Sequence, residues 1–390
     1  MTNRELFYKF LAQTSDSPLA IEVSRAEGVY LYGPNDEKYI DLISGIAVSN
    51  VGHRHPHVVK AIKEQLDKHM HLMVYGEFIQ TPQVKLAELL TSNLPEKLNS
   101  VYLVNSGSEA VEGALKLSKR YTGRTEIVCF KNAYHGSSHG ALSVMGDERM
   151  KNAFRPLLPD VRILEFNNIE MLNQISTNTA CVIVEPIQGE AGVIVPDIEF
   201  IKKLRNICSA KGVLLIFDEI QTGFGRTVSL WAFEQFDVVP DILLLAKGMG
   251  GGLPIGAFIS SKEIMNSLTN NPVLGHITTF GGNPVCAAAA LANLEVIIDN
   301  KLWQKALMIE NVCKELLIHP KIKNIRGRGA LLAIEFEDFN ENKKVIDSCL
   351  KNGLITDWFL FADNCMRIAP PLIITEEQLR EACKIIIDSI

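Results

Sequence analysis

The sequence lacks the features that define several large classes of protein. It has no basic excess, because 39 Lys and Arg residues stand against 45 Asp and Glu, for a net charge of −6. We therefore expect no nucleic-acid partner, since such a partner requires clustered positive charge. No apolar run approaches the ~20 residues that span a bilayer, and the N-terminal segment lacks the apolar core of a signal peptide. We expect a cytoplasmic protein without a membrane partner.

Metal-binding and disulfide patterns are also missing. The eight cysteines show neither a CxxC pair nor regular spacing, and Cys129 and Cys181 lie in apolar segments. This pattern favours buried, reduced thiols. Three histidines fall in "GHRHPH" (52–57), and we interpret them as capping the following helix rather than as metal ligands. The prediction is that no metal is bound.

Two nucleotide-binding motifs are absent as well. The sequence contains neither the GxxxxGK[ST] loop that cradles nucleotide phosphates nor the GxGxxG dinucleotide fingerprint. A nucleotide is therefore disfavoured, and an NAD-dependent dehydrogenase is excluded.

What the sequence does contain is a series of short apolar strands that alternate with amphipathic helices. The strand-like segments are VYLVN (101–105), EIVCF (126–130), ACVIVEP (180–186), VLLIFDE (213–219), DILLLAK (241–247) and GAFISS (256–261). Strands that are apolar throughout are typical of a parallel sheet covered by helices on both faces. We predict an α/β domain with a large, mostly parallel sheet over 46–281. Residues 1–45 and 282–390 are predicted to form a smaller α+β domain.

Polar residues follow these strands, at the edge where α/β sheets bind ligands. In "NSGSEA" (105–110), Gly107 stands between Ser106 and Ser108 at the start of a helix. Such a helix terminus can bind a phosphate through its amides and dipole. Taken alone, the same residues favour a helix cap, with Ser106 or Ser108 as the N-cap. Both interpretations stay open at this point.

Two charged residues end buried strands. Asp218 follows "LLIF", and it can cap a helix, bind a metal or pair with a protonated nitrogen. Lys247 follows "ILLLA", and it can form an ion pair, bind a phosphate or act as a nucleophilic amine. Together with the phosphate cradle and the neighbouring Tyr134 and His135, they form the set that holds pyridoxal 5′-phosphate.

The sequence also resembles a known family, the class III aminotransferases of fold type I, which include the acetylornithine, ornithine and 4-aminobutyrate types. The likeness covers nearly the whole chain, in the family's order. It is carried by YLYGPNDEKYIDLISGIAVSNVGHRHP, NSGSEAVEGALKLS, YHGSSHGALSV, VEPIQGEAGV, DEIQTGFGRT, LLAKGMGGGLPIGA, TTFGGNPVCAAAA, IRGRGALLAIEF and MRIAPPL.

This resemblance implies roles at the matching positions. Lys247 matches the Schiff-base lysine that later carries a proton, and Asp218 matches the partner of the pyridinium nitrogen. The other implied cofactor-binding residues are Ser106, Gly107, Ser108, Tyr134, His135, Glu185, Gln221 and Thr279. Thr279 is implied to reach the phosphate from the partner subunit of a homodimer. The implied substrate-binding residues are Arg367, Glu190 and Thr278.

The substrate side of the family pattern is changed at one position. Many relatives read HGRT where this chain reads HGSS, so Ser137 replaces an arginine that binds a substrate carboxylate. A serine cannot form a bidentate charged clamp. Arg367 matches the family's other carboxylate-binding arginine, and Glu190 matches the glutamate that pairs with it as a gate.

A further segment, 73–82, is expected to help shape the substrate pocket. It contributes Tyr75, Glu77 and Phe78.

The expected function is a transaminase that moves an amino group from an ω-amine or amino acid to a 2-oxo acid such as 2-oxoglutarate. A 4-aminobutyrate or diamine transaminase is one alternative. A racemase, aminomutase or decarboxylase on the same scaffold is another. A third is a protein that binds the cofactor without catalysis, which the intact Lys247, Asp218 and phosphate motif disfavour.

Overall fold

The computed structural model describes all residues from 1 to 390, in twelve α-helices and three β-sheets. The strands are β1 Arg25–Glu27, β2 Tyr30–Tyr32, β3 Lys38–Asp41, β4 Ser100–Val104, β5 Glu126–Phe130, β6 Val161–Leu164, β7 Thr179–Val184, β8 Leu214–Asp218, β9 Ile242–Leu245, β10 Gly256–Ser260, β11 Asn324–Arg328, β12 Leu331–Glu335, β13 Leu354–Ile355, β14 Trp358–Phe359 and β15 Ala362–Ile368. The helices are α1 Asn3–Phe10, α2 Ser44–Ala47, α3 Pro56–Leu66, α4 Thr81–Ser92, α5 Gly107–Thr122, α6 His139–Ser143, α7 Ile198–Lys211, α8 Lys262–Met265, α9 Pro284–Asp299, α10 Trp303–Leu316, α11 Phe339–Lys351 and α12 Glu376–Asp388.

The largest sheet has seven strands in the order β4-β10-β9-β8-β7-β5-β6. Only β10 runs antiparallel to its neighbours. The prediction of an α/β fold with a mostly parallel sheet is therefore confirmed. One strand, β6, extends the sheet beyond the predicted series.

Apolar side chains of the central strands separate into two cores, one on each face of this sheet. Val182 and Leu215 belong to the larger core, whereas their sequence neighbours Ile183 and Ile216 belong to the smaller one. Successive side chains of a strand point to opposite faces. Both faces are thus covered, which explains why these strands are apolar at every position.

Helices α5 and α7 end as the sequence indicates. Gly123 and Gly212 occupy the C-caps with φ of 70° and 61°, in the left-handed region that glycine adopts without a steric cost. The spacing of Ala110, Ala114, Leu117 and Tyr121 predicts one apolar face of α5. The first three residues are buried, but Tyr121 in the last turn is 40% exposed.

Two smaller sheets lie outside the central one. The sheet β1-β2-β3-β13 pairs an N-terminal strand with a C-terminal one, since Leu354 lies opposite Ile40. The other sheet, β11-β12-β15-β14, is entirely C-terminal. The predicted domain boundaries at 45/46 and 281/282 stay a prediction.

The predicted capping role of the three histidines is wrong. Helix α3 begins at Pro56, and the side chain of His55 before it makes no capping hydrogen bond. His53 Nε2 instead lies 2.8 Å from Asp41, and His57 Nε2 lies 2.8 Å from Glu295. Carboxylates from other elements reach these rings, and they are stronger partners for imidazole than a helix amide.

All eight cysteines are unpaired, and seven of them are buried. No helix is both long and apolar enough to cross a bilayer.

Candidate active site

A cavity of about 460 Å³ opens at the carboxyl ends of the central strands. This volume lies in the range of cofactor and ligand sites. Nine of the predicted cofactor-binding residues line the cavity, namely Ser106, Gly107, Ser108, Tyr134, His135, Glu185, Asp218, Gln221 and Lys247. The topology brings them together because five strands, β4, β5, β7, β8 and β9, end at this edge.

One end of the cavity is the N-terminus of α5. Ser106 is the N-cap, and its hydroxyl accepts a hydrogen bond from the Glu109 amide at 3.2 Å. The amides of Gly107 and Ser108 belong to the first turn, so they have no acceptor inside the helix. The capping and anion-binding interpretations of this motif are therefore compatible.

Glycine is required at this end for close packing. A Cβ on Gly107 would lie 2.8 Å from the Ile220 side chain. Gly136 has φ of 125°, and a Cβ there would collide with the Ser108 hydroxyl. Both glycines therefore let the backbone pack closely where α5 meets the cavity.

A carboxylate and an imidazole form the inner wall. Asp218 Oδ2 lies 2.6 Å from His135 Nδ1, and Asp218 Oδ1 accepts the Ile220 amide at 3.0 Å. The His135 side chain is fully buried, and its Nε2 has no hydrogen-bond partner in the chain. Asp218 thus presents a fixed carboxylate that an imidazole supports from behind.

Glu185 is a second buried carboxylate in this wall. It accepts hydrogen bonds from the Tyr134 amide at 3.0 Å and the Gly189 amide at 2.9 Å. Burial raises the pKa of Glu185 to about 7, although His135 and the two amides oppose the shift. Its amide contacts connect the loop after β5 with the loop after β7.

Lys247 follows β9 and opens a single 3₁₀ turn, Lys247–Met249. Its φ of 44° lies in the left-handed region, which costs a non-glycine residue about 1–3 kcal/mol and is typical of functional sites. Burial lowers the pKa of the Lys247 ammonium, against the attraction of Glu190 and Asp218. A larger share of the amine is therefore neutral, and the neutral amine is the nucleophilic form.

These residues fit pyridoxal 5′-phosphate. Its phosphate needs free amide donors, which Gly107 and Ser108 provide at the helix terminus. Its ring nitrogen needs a buried carboxylate, and Asp218 is 4% exposed. Its aldehyde needs an amine that is free to react, and Lys247 lines the same cavity. The cavity therefore has the three contacts of a pyridoxal 5′-phosphate enzyme.

Beside this cavity lies a buried charged pair. Both guanidinium η nitrogens of Arg367 donate to the two carboxylate oxygens of Glu190, at 3.0 Å each. Gln221 donates to Glu190 at 3.3 Å and so connects the pair to the cavity wall. Burial disfavours the charge of Arg367. The carboxylates of Glu190 and Asp357 outweigh this effect and raise the pKa of Arg367 above its ordinary value.

Asp357 is a member of this cluster that the sequence analysis missed. Its Oδ1 accepts a hydrogen bond from Arg367 Nε at 2.8 Å. Burial raises the pKa of Asp357, although the attraction of Arg367 opposes the shift. The sequence carried little signal for Asp357, because the strand before it, β13, has only two residues.

Other predicted residues lie outside the cavity. Thr279 is exposed, and the neighbouring Thr278 accepts a hydrogen bond from Asn105 at 2.9 Å. Ser137 is exposed, with its hydroxyl 3.4 Å from that of Tyr134.

The segment that was expected to shape the pocket lies apart from Lys247 in this chain. Tyr75 and Phe78 line a separate apolar cavity of about 390 Å³ beside Tyr102, and Glu77 lines another cavity nearby.

The family model for class III aminotransferases matches residues 11–390. The acetylornithine aminotransferase of Methanopyrus kandleri is 36% identical over 395 residues, which cover 100% of this chain and 99% of that protein. The acetylornithine aminotransferase of Archaeoglobus fulgidus is 39% identical and covers 94% of this chain and 95% of its own.

A solved structure agrees with these sequence relatives. The ornithine aminotransferase of Toxoplasma gondii, crystallised with partial occupancy of pyridoxal phosphate at its active site, superposes with a TM-score of 0.92 at 31% identity, over 99% of this chain and 92% of its own. The fold and the cavity define a pyridoxal 5′-phosphate enzyme of the transaminase kind. The chain belongs to the class III aminotransferases.

Proposed function

We propose that the protein transfers the terminal amino group of an ω-amine donor, of the acetylornithine or ornithine type, to a 2-oxo acid such as 2-oxoglutarate. The observation that carries this proposal is the buried pair of Arg367 and Glu190 beside the Lys247 cavity. An enzyme that alternates between an ω-amine end without a carboxylate and an amino acid with an α-carboxylate needs a positive charge that can be covered and uncovered.

Lys247 is the central residue of the proposed chemistry. Bound pyridoxal 5′-phosphate supplies an electron sink for negative charge at the carbon that carries the amino group. Lys247 would hold the cofactor covalently between turnovers. Its Nζ, when free, would move a proton to and from that carbon. The lowered pKa of Lys247 suits both roles.

Asp218 and His135 keep the ring nitrogen of the cofactor protonated. The carboxylate of Asp218 is buried and hydrogen-bonded to His135 and to the Ile220 amide. These partners fix the orientation of the carboxylate, so that it stabilises the positive nitrogen without having to reorganise. Tyr134 and Gln221 line the sides of the cavity and are proposed to contact the ring.

The Arg367–Glu190 pair acts as a gate between the two substrates. When an ω-amine enters, Glu190 neutralises Arg367, which leaves no charge to bind or repel the uncharged end of the chain. When the α-carboxylate of glutamate enters, Glu190 withdraws and the η nitrogens of Arg367 bind the carboxylate. A bidentate guanidinium contact is well suited to this exchange because carboxylates have matching geometry.

The identity of residue 137 favours a second candidate donor. Ser137 provides an exposed hydroxyl where many relatives carry a carboxylate-binding arginine. A diamine has no carboxylate to place there, so a diamine transaminase is the runner-up. The named relatives support the acylated or free ornithine type as the first candidate.

The assembly we propose is a homodimer with Thr279 contributed to the partner's phosphate site. Thr279 is exposed and lies outside its own chain's cavity. Large apolar side chains are exposed around it and on segment 70–79, including Ile79 at 95%, Val273 at 70% and Phe280 at 55%. Such patches are typical of interfaces. Eight unpaired cysteines support a reducing compartment, and we propose the cytoplasm.

A half-reaction screen tests the donor. The cofactor-loaded protein is mixed with one amine at a time, and the absorbance of the bound cofactor is followed. The amines are ornithine, its acetyl and succinyl derivatives, lysine, 4-aminobutyrate, diamines and glutamate. We expect glutamate and one ω-amine to convert the cofactor to its amino form. If no amine in this set changes the absorbance, the proposed donor class is wrong.

A further inference from the structure

One short segment, residues 357–361, holds both members of the Arg367–Glu190 pair. Asp357 accepts from Arg367 Nε at 2.8 Å, and the Trp358 carbonyl accepts from an Arg367 η nitrogen at 3.3 Å. The guanidinium carbon lies 4.2 Å from the centre of the Phe359 ring, which packs beneath it. Arg367 is therefore fixed from its Nε side and from one face.

The same segment also holds Glu190. The Leu360 amide donates to the Glu190 carboxylate at 3.2 Å, and the Phe361 amide donates to the Glu190 carbonyl at 3.0 Å. The contact to the carboxylate is a single, long hydrogen bond, whereas the contact to the backbone is independent of the side-chain position. Glu190 can therefore release Arg367 while its backbone stays in place.

Asp357 and Glu190 bind different edges of one guanidinium. Glu190 occupies the two η nitrogens, which is the edge that a substrate carboxylate would use. Asp357 occupies Nε and leaves that edge free. Arg367 is only 2% exposed, so its charge would lack a counterion if Glu190 withdrew and no second carboxylate remained. An uncompensated buried charge is strongly unfavourable.

We propose that Asp357 is a positioning residue for substrate carboxylates. It stays bound to Arg367 Nε in both halves of the reaction, keeps the guanidinium charge compensated while Glu190 is withdrawn, and keeps the η edge aimed at the incoming carboxylate. This inference rests on the proposed gate. It adds the residue that stabilises the buried charge of Arg367 while the gate is open.

The test separates carboxylate binding from turnover. The first readout is the Kd of the cofactor-loaded protein for glutarate, an unreactive dicarboxylate with the two carboxylates of 2-oxoglutarate, measured by calorimetry. The second readout is the KM and kcat for 2-oxoglutarate with the best ω-amine donor. The variants are Asp357→Ala and Asp357→Asn. Asp363→Ala is the matched control, since Asp363 is an exposed aspartate on the same hairpin, in β15.

We expect Asp357→Ala to raise the Kd for glutarate and the KM for 2-oxoglutarate about tenfold or more, because a hydrogen bond to a charged group is lost. Its kcat and its half-reaction with the ω-amine should stay near wild type. Asp357→Asn keeps an oxygen acceptor for Nε but removes the negative charge, so it should recover only part of the loss. Asp363→Ala should match wild type.

Two results would overturn the assignment. One is a glutarate Kd for Asp357→Ala within twofold of wild type. The other is an equal loss in the ω-amine and carboxylate half-reactions, with no recovery in Asp357→Asn, which would mean a merely structural role. Since glutarate binding needs no turnover, it tests Asp357 even if the donor screen rejects the proposed function.

Discussion

At the scale of single residues, the site depends on side chains held in states that they would not adopt in water. Lys247 combines a positive φ with a pKa lowered by burial, and Asp218 is buried against His135. In the proposed chemistry, both arrangements prepare the reactive groups before a substrate arrives, which is how preorganised sites lower a reaction barrier.

Lys247→Ala should abolish turnover and the covalent attachment of the cofactor, because no other amine lines the cavity. Borohydride reduction of the loaded protein, followed by intact-mass measurement, should add the mass of the cofactor to wild type but not to the variant. Lys262→Ala, at the exposed start of α8, is the control and should behave as wild type. Near-normal turnover in Lys247→Ala would contradict the assignment of Lys247 as the cofactor-binding lysine.

Ser137→Arg should restore the charged clamp that many relatives have at this position. A bidentate guanidinium contact to a carboxylate is worth roughly 1.5–3 kcal/mol. The KM for acetylornithine or ornithine should therefore fall about tenfold or more, with little change for a diamine. The contact is accessible because Ser137 is exposed beside Tyr134. If wild type and variant have the same KM for acetylornithine or ornithine, as well as for the diamine, residue 137 does not contact the donor.

At the scale of helices and strands, the ends of the buried strands were the most predictable feature. Strands β7, β8 and β9 are buried at every residue, and their continuous apolar sequence indicates it directly. Because such strands are parallel neighbours, the residues after them had to meet at one edge. This reasoning predicts from the sequence that Asp218 and Lys247 lie close together, whereas Glu185 was implied by the family resemblance.

Elements with weaker patterns were not predicted. Strand β6 lies at the edge of the sheet, where its residues are only partly buried. Its sequence therefore includes Arg162, which interrupts the apolar run. Strands β1 and β2 are three residues long and never fully buried. Asp357 was missed for a related reason: β13 before it has only two residues, too few to mark the end of a strand.

A buried glutamate in the loop after β8 should make the free energy of unfolding depend on pH. Glu219 is fully buried and accepts the Ala232 and Phe233 amides at 2.7 Å each. Burial raises its pKa from 4.5 to about 8. Between these two values the folded state holds a proton that the unfolded state has lost, so the contribution of Glu219 to stability is present at low pH and falls as pH rises toward 8.

Glu219→Gln cannot titrate and should remove this term. The melting temperature of the wild type, relative to that of the variant, should fall from pH 5 to pH 8 and then level off. Thermal unfolding of the loaded protein at pH values from 5 to 9 measures it. Parallel curves over the whole range would show that Glu219 does not titrate in this window.

At the scale of the whole molecule, the proposed active unit is larger than one chain. The cavity contains the helix terminus for a phosphate, but Thr279 lies outside it among exposed apolar side chains. In a homodimer with shared sites, each phosphate would receive its threonine from the other subunit.

A mixed dimer tests this sharing. Thr279→Ala should weaken cofactor binding, and Lys247→Ala should prevent covalent attachment. A heterodimer of one Thr279→Ala subunit and one Lys247→Ala subunit should contain one fully wild-type site, because both defects meet in the other site. Titration with cofactor should then show one site of wild-type affinity. If the intact lysine site instead has the weakened affinity of Thr279→Ala, the threonine acts within its own chain.

The central claim, amino transfer through Lys247, is tested most directly by following the nitrogen. The loaded protein is incubated with 2-oxoglutarate and the best ω-amine donor labelled with ¹⁵N at the terminal amine. Mass spectrometry then measures glutamate and the oxo product of the donor. The account predicts that both appear in equal amounts and that the glutamate carries ¹⁵N. Donor conversion without labelled glutamate would contradict it and would indicate a racemase, aminomutase or decarboxylase on the same scaffold.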